Sequence, residues 1–442
     1  MKDWRSFFKG KRVTVMGLGL LGRGLGDALF LAEQGAELII TDLRDKKTLA
    51  PSLTKLKKHK NIQYVLGKHR SEDFKDRDFI LKAAGVPLNS LYITEAQKHD
   101  IPVYMSTALF AKFARDEGAS IVGVTGTRGK STVTHLIHHV LRSVGARTHL
   151  GGNVRGISTL ALLSLVQKGD ICVLELDSWQ LQGFGTLKIS PDISVFTNLK
   201  SDHLNYYPDE QAYFEDKANV YQFQRKDDVL VTTRAIINGW LGRAKPPGKV
   251  VLPSPVHGKL KIIGNHNKEN AELAAKTLRI LRVPEDDIQR GLESFEPIEG
   301  RLQLMRSLDG IDIYNDNNAT TPDATIAAIA TLLNLNKKIV LILGGSDKSI
   351  NPEMLARMLN TNGVAHRVVL LPGTGTEKLK NFLDERTWVE AHSMAEAVTM
   401  AVDCAHQTKS TAILFSPAFA SFGLFKNEYD RGNQFVTLIN QL

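Results

Sequence analysis

Short apolar runs alternate with longer segments in which apolar residues recur at helical spacing, and this pattern continues along almost the whole chain. Such runs, bounded by glycine and polar residues, predict β-strands, and strands that alternate with helices indicate parallel sheets. In the first part of the chain the predicted strands cover residues 13–17, 37–41, 62–66, 79–84 and 101–104. They indicate a small Rossmann-like α/β domain.

The same alternation continues in two further blocks. Predicted strands cover residues 121–124, 171–177 and 193–198 in one block, and 313–315, 338–343, 367–371 and 412–416 in the other. A chain of 442 residues has room for about three domains. We therefore predict an α/β protein with a Rossmann-like domain over residues 1–107, a central P-loop ATPase-type domain over 108–298 and a C-terminal Rossmann-like domain over 299–442.

The stretch 121–132 reads Ile-Val-Gly-Val-Thr-Gly-Thr-Arg-Gly-Lys-Ser-Thr and joins a predicted strand to a predicted helix. Gly126 and Gly129 allow the positive φ of a tight anion-binding turn, and the helix N-terminus offers free N–H groups to a phosphate. Lys130 would contact the outer phosphates of a nucleotide and Ser131 a Mg²⁺ ion, although Val124 replaces the first glycine of the common pattern. The alternative is a glycine-rich turn with a solvated lysine, but the order of strand, loop and helix favours phosphate binding.

A second glycine-rich turn, Gly-Leu-Gly-Leu-Leu-Gly at residues 17–22, follows the first predicted strand, and Asp42 ends the next one. This spacing is typical of dinucleotide binding, with the acidic residue near a ribose. The same turn would hold any nucleotide diphosphate, and tight packing without a ligand is a third interpretation.

Composition limits the class of protein. The net charge of +9 suits a polyanionic small substrate, because the lysines of residues 46–60 fall on a solvated helix face and nucleic-acid motifs are missing. No apolar run is long enough for a membrane span, and the first residues lack the features of a secretory signal. With only Cys172 and Cys404, both in apolar segments, we expect a reduced, cytoplasmic protein without membrane or nucleic-acid partners.

Polar residues follow several predicted strands. Glu175 and Asp177 end one central strand, where a carboxylate would complement Ser131 in binding Mg²⁺, and His203 follows the next strand beside Asp202. The alternative for His203 is a hydrogen-bonded loop residue. In the last block, residues 316–321, 344–348 and 416–421 carry polar strand ends, which predict a separate substrate site.

Two helical segments add weaker candidates. Asn267 and Asn270 lie one turn apart, which suits hydrogen bonds to a base edge. Helix capping is the competing explanation for Asn265 or Asn267. Lys217 falls in a predicted helix over residues 209–223, where the local pattern indicates only a solvated lysine.

Several segments in combination resemble the Mur ligases, ATP-dependent amide-bond-forming enzymes of bacterial cell-wall synthesis, and among them the D-glutamate-adding branch. The segments are residues 17–22, 125–132, 175–181, 202–203, 266–270, 316–320 and 425–432. The resemblance implies ATP and Mg²⁺ as cofactors, UDP-N-acetylmuramoyl-L-alanine and D-glutamate as substrates, and an acyl-phosphate intermediate. We also expect a monomer.

The resemblance also implies roles for individual residues. The uridine nucleotide and its muramoyl group would contact Leu20, Leu21, Asp42, Arg44 and Asn153. ATP would contact Gly126, Thr127, Gly129, Lys130, Ser131, Thr132, Asn267, Asn270, Arg301 and Asp316. Metal ligands would be Ser131, Glu175, His203 and a carbamylated Lys217. The amino acid would meet Thr320, Lys348, Ser421 and Phe422, and the catalytic residues would be Lys130, His203, Lys217 and Lys348.

Three positions depart from the D-glutamate-adding pattern. Asn318 stands where that branch has lysine, Asp177 where serine is common, and Glu428 with Tyr429 where an aromatic residue precedes an acid. The departures concern the identity of the added amino acid rather than the reaction type. The alternative enzymes are a ligase of the same type that adds another amino acid and a folylpolyglutamate-synthase-like enzyme, although the N-terminal nucleotide domain speaks against the latter. An alternative of another class is an inactive nucleotide-binding regulatory protein of the same fold.

Overall fold

The computed structural model describes residues 3–200, 206–243, 245–361 and 363–442. The first sheet lies within residues 12–104 and is parallel, with the strand order β3-β2-β1-β4-β5. Its strands are β1 (Arg12–Met16), β2 (Glu37–Asp42), β3 (Ile62–Leu66), β4 (Phe79–Lys82) and β5 (Val103–Tyr104). The accompanying helices are α1 (Trp4–Phe8), α2 (Arg23–Glu33), α3 (Ala50–Leu56), α4 (Leu91–Lys98) and α5 (Ser106–Asp116).

The second sheet is also parallel and has the order β11-β10-β9-β6-β8-β7. Its strands are β6 (Ser120–Thr125), β7 (Thr148–Gly152), β8 (Ile171–Glu175), β9 (Ile193–Phe196), β10 (Val229–Thr232) and β11 (Lys249–Val251). The helices of this part are α6 (Lys130–Ser143), α7 (Ser178–Leu187), α8 (Glu210–Ala218), α9 (Arg234–Ile236), α10 (Asn265–Ile280) and α11 (Glu285–Ser294). Strand β6 lies between β8 and β9, so the chain reverses its direction of strand addition there, where α/β sheets bind ligands.

The third sheet has the order β12-β13-β17-β14-β15-β16 and is parallel except for the antiparallel pair β12 and β13. Its strands are β12 (Gln303–Leu308), β13 (Ile311–Asn315), β14 (Ile339–Gly344), β15 (Arg367–Leu371), β16 (Trp388–Glu390) and β17 (Ala412–Phe415). Its helices are α12 (Pro322–Asn334), α13 (Glu353–Leu359), α14 (Thr374–Lys380), α15 (Met394–Thr408) and α16 (Glu428–Gln441). Separate apolar clusters cover its two faces, which explains why β14 is buried along its whole length.

The chain forms two compact units. The larger unit contains the first two sheets, and one apolar cluster continues from β1 through α5 to β6 and β8. The smaller unit contains the third sheet, and the division passes through α10. The domain boundaries at residues 107 and 298 stay a prediction.

The predicted α/β class is confirmed, and every predicted strand has a counterpart. The sequence analysis missed β7, β10, β11, β12 and β16, which are short or polar. The predicted helix over residues 209–223 is shorter, since α8 ends at Ala218. Both cysteines are free, and in the described ranges no helix combines the length and apolar character needed to cross a membrane.

Candidate phosphate-binding and ligase site

The predicted phosphate loop connects β6 to α6. Gly126 and Gly129 have φ angles of +139° and +84°, a region that favours glycine. A Cβ on Gly126 would lie 2.0 Å from the Thr197 hydroxyl oxygen, and one on Gly129 would lie 2.2 Å from Oδ1 of Asn270. The loop therefore requires glycine at both positions, and Asn270 lies against it.

The end of β9 holds the same loop in place. Asn198 accepts hydrogen bonds from the backbone N–H of Thr127 (2.9 Å) and of Arg128 (3.0 Å). The Thr197 hydroxyl donates to the Arg128 carbonyl (2.5 Å), and the Asn198 amide donates there too (3.1 Å). The sequence analysis assigned no role to Thr197 or Asn198, because only the pairing of β6 with β9 brings them to the loop.

Lys130 begins α6 and its side chain turns back over the loop. Its Nζ donates to the carbonyl oxygens of Gly126 and Thr127, both at 3.0 Å. Ser131 is half-buried and Thr132 is buried in the first turn of the same helix. A phosphate oxygen is charged and is therefore a stronger acceptor than a carbonyl oxygen. The arrangement allows the Lys130 amine to exchange these two carbonyl oxygens for phosphate oxygens.

Lys217 is 1% exposed, so the local interpretation as a solvated lysine is wrong. Its Nζ donates to the Gly126 carbonyl oxygen (2.9 Å) and lies 4.6 Å from the centre of the Tyr213 ring. The Tyr213 hydroxyl in turn is 3.4 Å from the Thr127 hydroxyl. Helix α8 thus places a buried amine directly against the phosphate loop.

Of the four predicted metal ligands, Ser131, Glu175 and Lys217 lie within the described residues and His203 does not. Glu175 is 5% exposed at the end of β8, which pairs with the phosphate-loop strand β6. His203 and Asp202 lie outside the described residues, and within the described ranges no group of three His, Cys, Asp or Glu side chains is arranged for a metal.

Asp177 caps α7 rather than extending this group. Its Oδ1 accepts from the backbone N–H of Gln180 (2.7 Å), and the Gln180 side chain accepts from the Asp177 N–H (3.2 Å). Serine is an equally good residue at the start of a helix, so this departure from the family pattern preserves the local structure.

The first glycine-rich turn is ordered by Asp42. This buried carboxylate accepts from the backbone N–H of Gly19 (3.0 Å) and of Arg44 (2.8 Å), with the Arg44 guanidinium 3.4 Å away. Leu20, at the tip of the turn, is 52% exposed, and Leu21 is half-buried. The Asp42 side chain therefore holds the predicted nucleotide turn by bonding to the backbone N–H of Gly19.

Helix α2 contacts the segment that follows β7. Arg23 donates to the side-chain oxygen of Asn153, and the Leu21 carbonyl accepts from Gly156 (3.2 Å). One turn further on, the Ser158 hydroxyl donates to Asp27 (2.6 Å). Burial raises the pKa of Asp27 to about 6, although hydrogen bonds oppose the change. Asn153, which follows strand β7 of the second sheet, thus lies beside the predicted nucleotide turn that follows strand β1 of the first sheet.

Lys82 is a buried lysine that the sequence analysis missed. It ends β4 and donates to the Val86 carbonyl (2.8 Å), so it holds the loop that follows the strand. Burial lowers its pKa to about 8, while the nearby carboxylates of Asp177 and Asp216 act in the opposite direction. The local sequence, an apolar strand that ends in lysine, carries no signal for this role.

In the smaller unit, loops at the ends of β13, β14 and β17 meet. Lys348 donates to the Thr320 hydroxyl (3.0 Å). Ser421 is buried, and Phe422 is 63% exposed with its carbonyl accepting from Ser346 (2.5 Å). Lys378, which the sequence analysis missed, donates to Asp347 (3.2 Å) in the Lys348 loop. A second cation therefore lies beside the predicted amino-acid site.

Two of the predicted ATP contacts of this unit, Asn267 and Asp316, form hydrogen bonds within the protein. Asp316 accepts from the Leu302 N–H (3.0 Å) and from the Ser416 hydroxyl (2.9 Å). Buried Asn267 donates to the Ile263 carbonyl (2.8 Å), and Arg301 is half-buried just before β12. Asn318 donates to the Glu299 carbonyl (3.1 Å), so the residue in place of the usual lysine bonds to the backbone near Arg301.

Three family models match the chain in succession. They are the Mur ligase MurD-like N-terminal domain (residues 11–105), the Mur ligase middle domain (124–252) and the Mur ligase glutamate ligase domain (300–419). The chain is 32% identical to the UDP-N-acetylmuramoylalanine--D-glutamate ligase of Borreliella burgdorferi, with 98% of each chain covered. The chain belongs to the Mur ligase family.

Other Mur ligases extend the comparison. The UDP-N-acetylmuramoylalanine--D-glutamate ligase of Roseiflexus is 34% identical, over 97% of this chain and 98% of its own. Among solved structures, MurC of Thermotoga maritima has a TM-score of 0.62 at 18% identity, covering 98% of this chain and 99% of its own. MurF of the same organism, in complex with ADP, has a TM-score of 0.60 at 15% identity, covering 100% and 99%. These two structures share the Mur ligase fold.

Proposed function

We propose that this chain is an ATP-dependent ligase that adds D-glutamate to UDP-N-acetylmuramoyl-L-alanine in peptidoglycan synthesis, releasing ADP and phosphate. The proposal rests on one observation above all: a buried lysine, Lys217, is directed at the carbonyl of Gly126 in a phosphate loop. Two relatives that match the chain over nearly its full length carry the name of the D-glutamate ligase.

The chemistry fits the residues of the loop. A carboxylate and an amine do not condense in water, so ATP first converts the carboxylate of the muramoyl substrate into an acyl phosphate. Lys130 would leave its two carbonyl partners and bind the transferred phosphoryl group, whose charge it offsets. The amine then attacks the acyl carbon and phosphate leaves. Positioning and electrostatic stabilisation supply the rate, and no side-chain nucleophile is needed.

Mg²⁺ would supply further charge neutralisation at the phosphates. Ser131 and Glu175 offer the hard oxygen ligands that Mg²⁺ prefers, and His203 completes the proposed set. We assign Lys217 to the same site as a carbamate, formed when its neutral amine adds to CO₂ and loses a proton. The carbamate keeps one N–H for the Gly126 carbonyl and gains two oxygens with a negative charge.

The remaining assignments follow the two units. In the larger unit, Leu20, Leu21, Asp42, Arg44 and Asn153 would hold the uridine nucleotide and its muramoyl group. In the smaller unit, Thr320, Lys348, Ser421 and Phe422 would hold D-glutamate. ATP would contact the phosphate loop together with Asn267, Asn270, Arg301 and Asp316. We propose a monomer that works in the cytoplasm, where nucleotide precursors and ATP are available.

Phosphate release by the purified protein tests the function. The assay contains ATP, Mg²⁺ and UDP-N-acetylmuramoyl-L-alanine, with D-glutamate, D-aspartate, L-lysine or meso-diaminopimelate at equal concentration. We expect D-glutamate to give the highest kcat/KM. A higher value for a cationic amino acid would mean that the family departures mark a change of specificity. No release with any of them, despite nucleotide binding, would favour the regulatory protein.

A further inference from the structure

Arg431 is the largest fully buried side chain in the described part of the molecule, at 0% exposure. It lies in the first turns of α16, within the 425–432 segment that the sequence analysis singled out and that the proposed chemistry does not use. A guanidinium is rarely buried unless it is paired, so the position calls for a physical explanation.

The guanidinium joins two loops of the third sheet. Its Nε and Nη2 donate to the side-chain oxygen (2.8 Å) and the carbonyl oxygen (2.9 Å) of Asn317, just after β13. Its Nη1 donates to the carbonyl of Phe419 (3.0 Å), after β17. The Asn317 amide closes the arrangement by donating to the Glu428 carbonyl (2.9 Å) at the start of α16.

These hydrogen-bond partners are all neutral oxygens. Burial lowers the pKa of Arg431 to about 10, with Glu428 acting in the opposite direction, so the side chain stays charged at neutral pH. A buried charge held only by neutral groups is costly, and an apolar residue of similar volume would be a cheaper way to fill the space. An apolar residue, however, has no N–H groups, whereas the planar guanidinium holds three acceptor oxygens at defined angles.

The fixed acceptors lie next to residues of the amino-acid site. Asn317 lies between Asp316 and Thr320 along the chain, and Phe419 lies two residues before Ser421. A Cβ on Gly432 would come within 2.9 Å of the Asn317 amide nitrogen, so the neighbouring glycine gives this amide room. We propose that Arg431 is a positioning residue that holds the two loops in the arrangement that binds D-glutamate. This inference rests on the proposed function.

Arg431→Lys keeps the charge but cannot reach three acceptors at once. We expect the KM for D-glutamate to rise on the order of 10- to 100-fold, because small displacements of binding groups have effects of that size. The KM for UDP-N-acetylmuramoyl-L-alanine should not change, because its proposed contacts belong to the larger unit. A purely structural role would instead reduce the active fraction, lowering kcat and leaving every KM unchanged.

Arg306→Lys is the matched control. Arg306 also donates to a carbonyl of α16, that of Ile439 (3.2 Å), but at the opposite end of the helix. We expect no change in any KM for this variant. If Arg431→Lys fails to fold, Asn317→Ala removes the Nε hydrogen bond and the bond to the Glu428 carbonyl. It should give a smaller but equally selective rise in KM, because the backbone acceptors of Asn317 and Phe419 remain.

Hydrogen exchange of the full-length protein gives a readout that does not depend on activity. In Arg431→Lys, amide protection should fall in residues 316–321 and 419–423 together, while β14 keeps its protection. Unchanged exchange in both loops would overturn the inference, as would equal changes in the KM of both substrates. If the unsubstituted protein releases no phosphate with any amino acid, the proposed function fails, and hydrogen exchange still decides whether Arg431 holds the loops.

Discussion

The Nζ atom of Lys217 lies 2.9 Å from the carbonyl oxygen of Gly126, inside a phosphate loop. An amine that is 1% exposed and contacts the predicted phosphate loop is not a solvated surface charge. A cation there would attract phosphate directly, whereas a carbamate would attract Mg²⁺. Replacing Lys217 by alanine and then adding a small carboxylate distinguishes these two roles.

Lys217→Ala should lose most activity, by on the order of 100-fold or more if a metal ligand is removed. Acetate or formate should restore part of the activity, because a small carboxylate can occupy the space left by the carbamate. The measurement is phosphate release with increasing carboxylate concentration. Lys130→Ala is the control, because its missing cation cannot be replaced by an anion. Full activity of Lys217→Ala without carboxylate would rule out the carbamate.

Lys130→Ala should reduce turnover by on the order of 100- to 1,000-fold, while the fold survives. The side chain contacts loop carbonyls and contributes little to the core. Phosphate release and the melting temperature should be measured together. The exposed Lys226→Ala should leave both unchanged. Normal phosphate release by Lys130→Ala would contradict the assignment of the phosphate loop.

Asp27→Asn should stabilise the protein at neutral pH. Burial raises the pKa of Asp27 to about 6, so the folded protein holds this proton more tightly than the unfolded chain. Keeping Asp27 charged in the folded protein therefore lowers the free energy of unfolding by on the order of 3 kcal/mol. This destabilisation is complete above about pH 6 and disappears as the pH falls toward 4.

Melting temperatures at pH 8, 6 and 5 test whether the stabilisation by Asp27→Asn falls as the pH is lowered. The advantage of Asp27→Asn over the unsubstituted protein should be greatest at pH 8 and smaller at pH 5. Asn at this position can still accept from the Ser158 hydroxyl. The exposed Asp227→Asn serves as control and should show no such trend. A difference that grows as the pH falls would mean that Asp27 is stabilised as a carboxylate.

Asn318→Lys should lower the KM for D-glutamate by about tenfold, or ~1.4 kcal/mol. After its amine is deprotonated for attack, D-glutamate carries about two negative charges, and a third cation beside Lys348 and Lys378 would offset them better. Steady-state kinetics with D-glutamate measure the effect. Asn381→Lys, an exposed site in the same unit, adds the same charge and should have no effect. An unchanged KM in Asn318→Lys would show that position 318 lies outside the reach of the substrate.

The phosphate loop could be predicted because its signal is local: a strand, glycines that adopt positive φ, and a helix that begins at Lys130. Lys217 could not be predicted from its own segment, since its burial depends on α8 packing near a loop about ninety residues earlier in the chain. Lys82 had no comparable signal, because an apolar strand that ends in lysine does not show that the lysine is buried. Arg431 lies in a segment that carried the resemblance, but its link to Asn317 depends on residues 114 positions apart in the chain.

The strands show the same limit. Apolar runs predicted the buried central strands, whereas β7 is rich in glycine and polar residues and forms only because it pairs with β8. The antiparallel hairpin of β12 and β13 was missed although Asp309 and Gly310, both with positive φ, form a typical hairpin turn. The sequence therefore carries a local signal for this hairpin.

The apolar cluster that continues from the first sheet into the second affects how the protein unfolds. Phe113 of α5 lies 5.0 Å from Phe7 and 5.8 Å from Phe8, ring centre to ring centre, so a cut at residue 107 would remove part of the packing of the first sheet. The two sheets should therefore melt in a single cooperative transition. By linkage, a uridine nucleotide bound at the first sheet would also stabilise the strand that carries the phosphate loop.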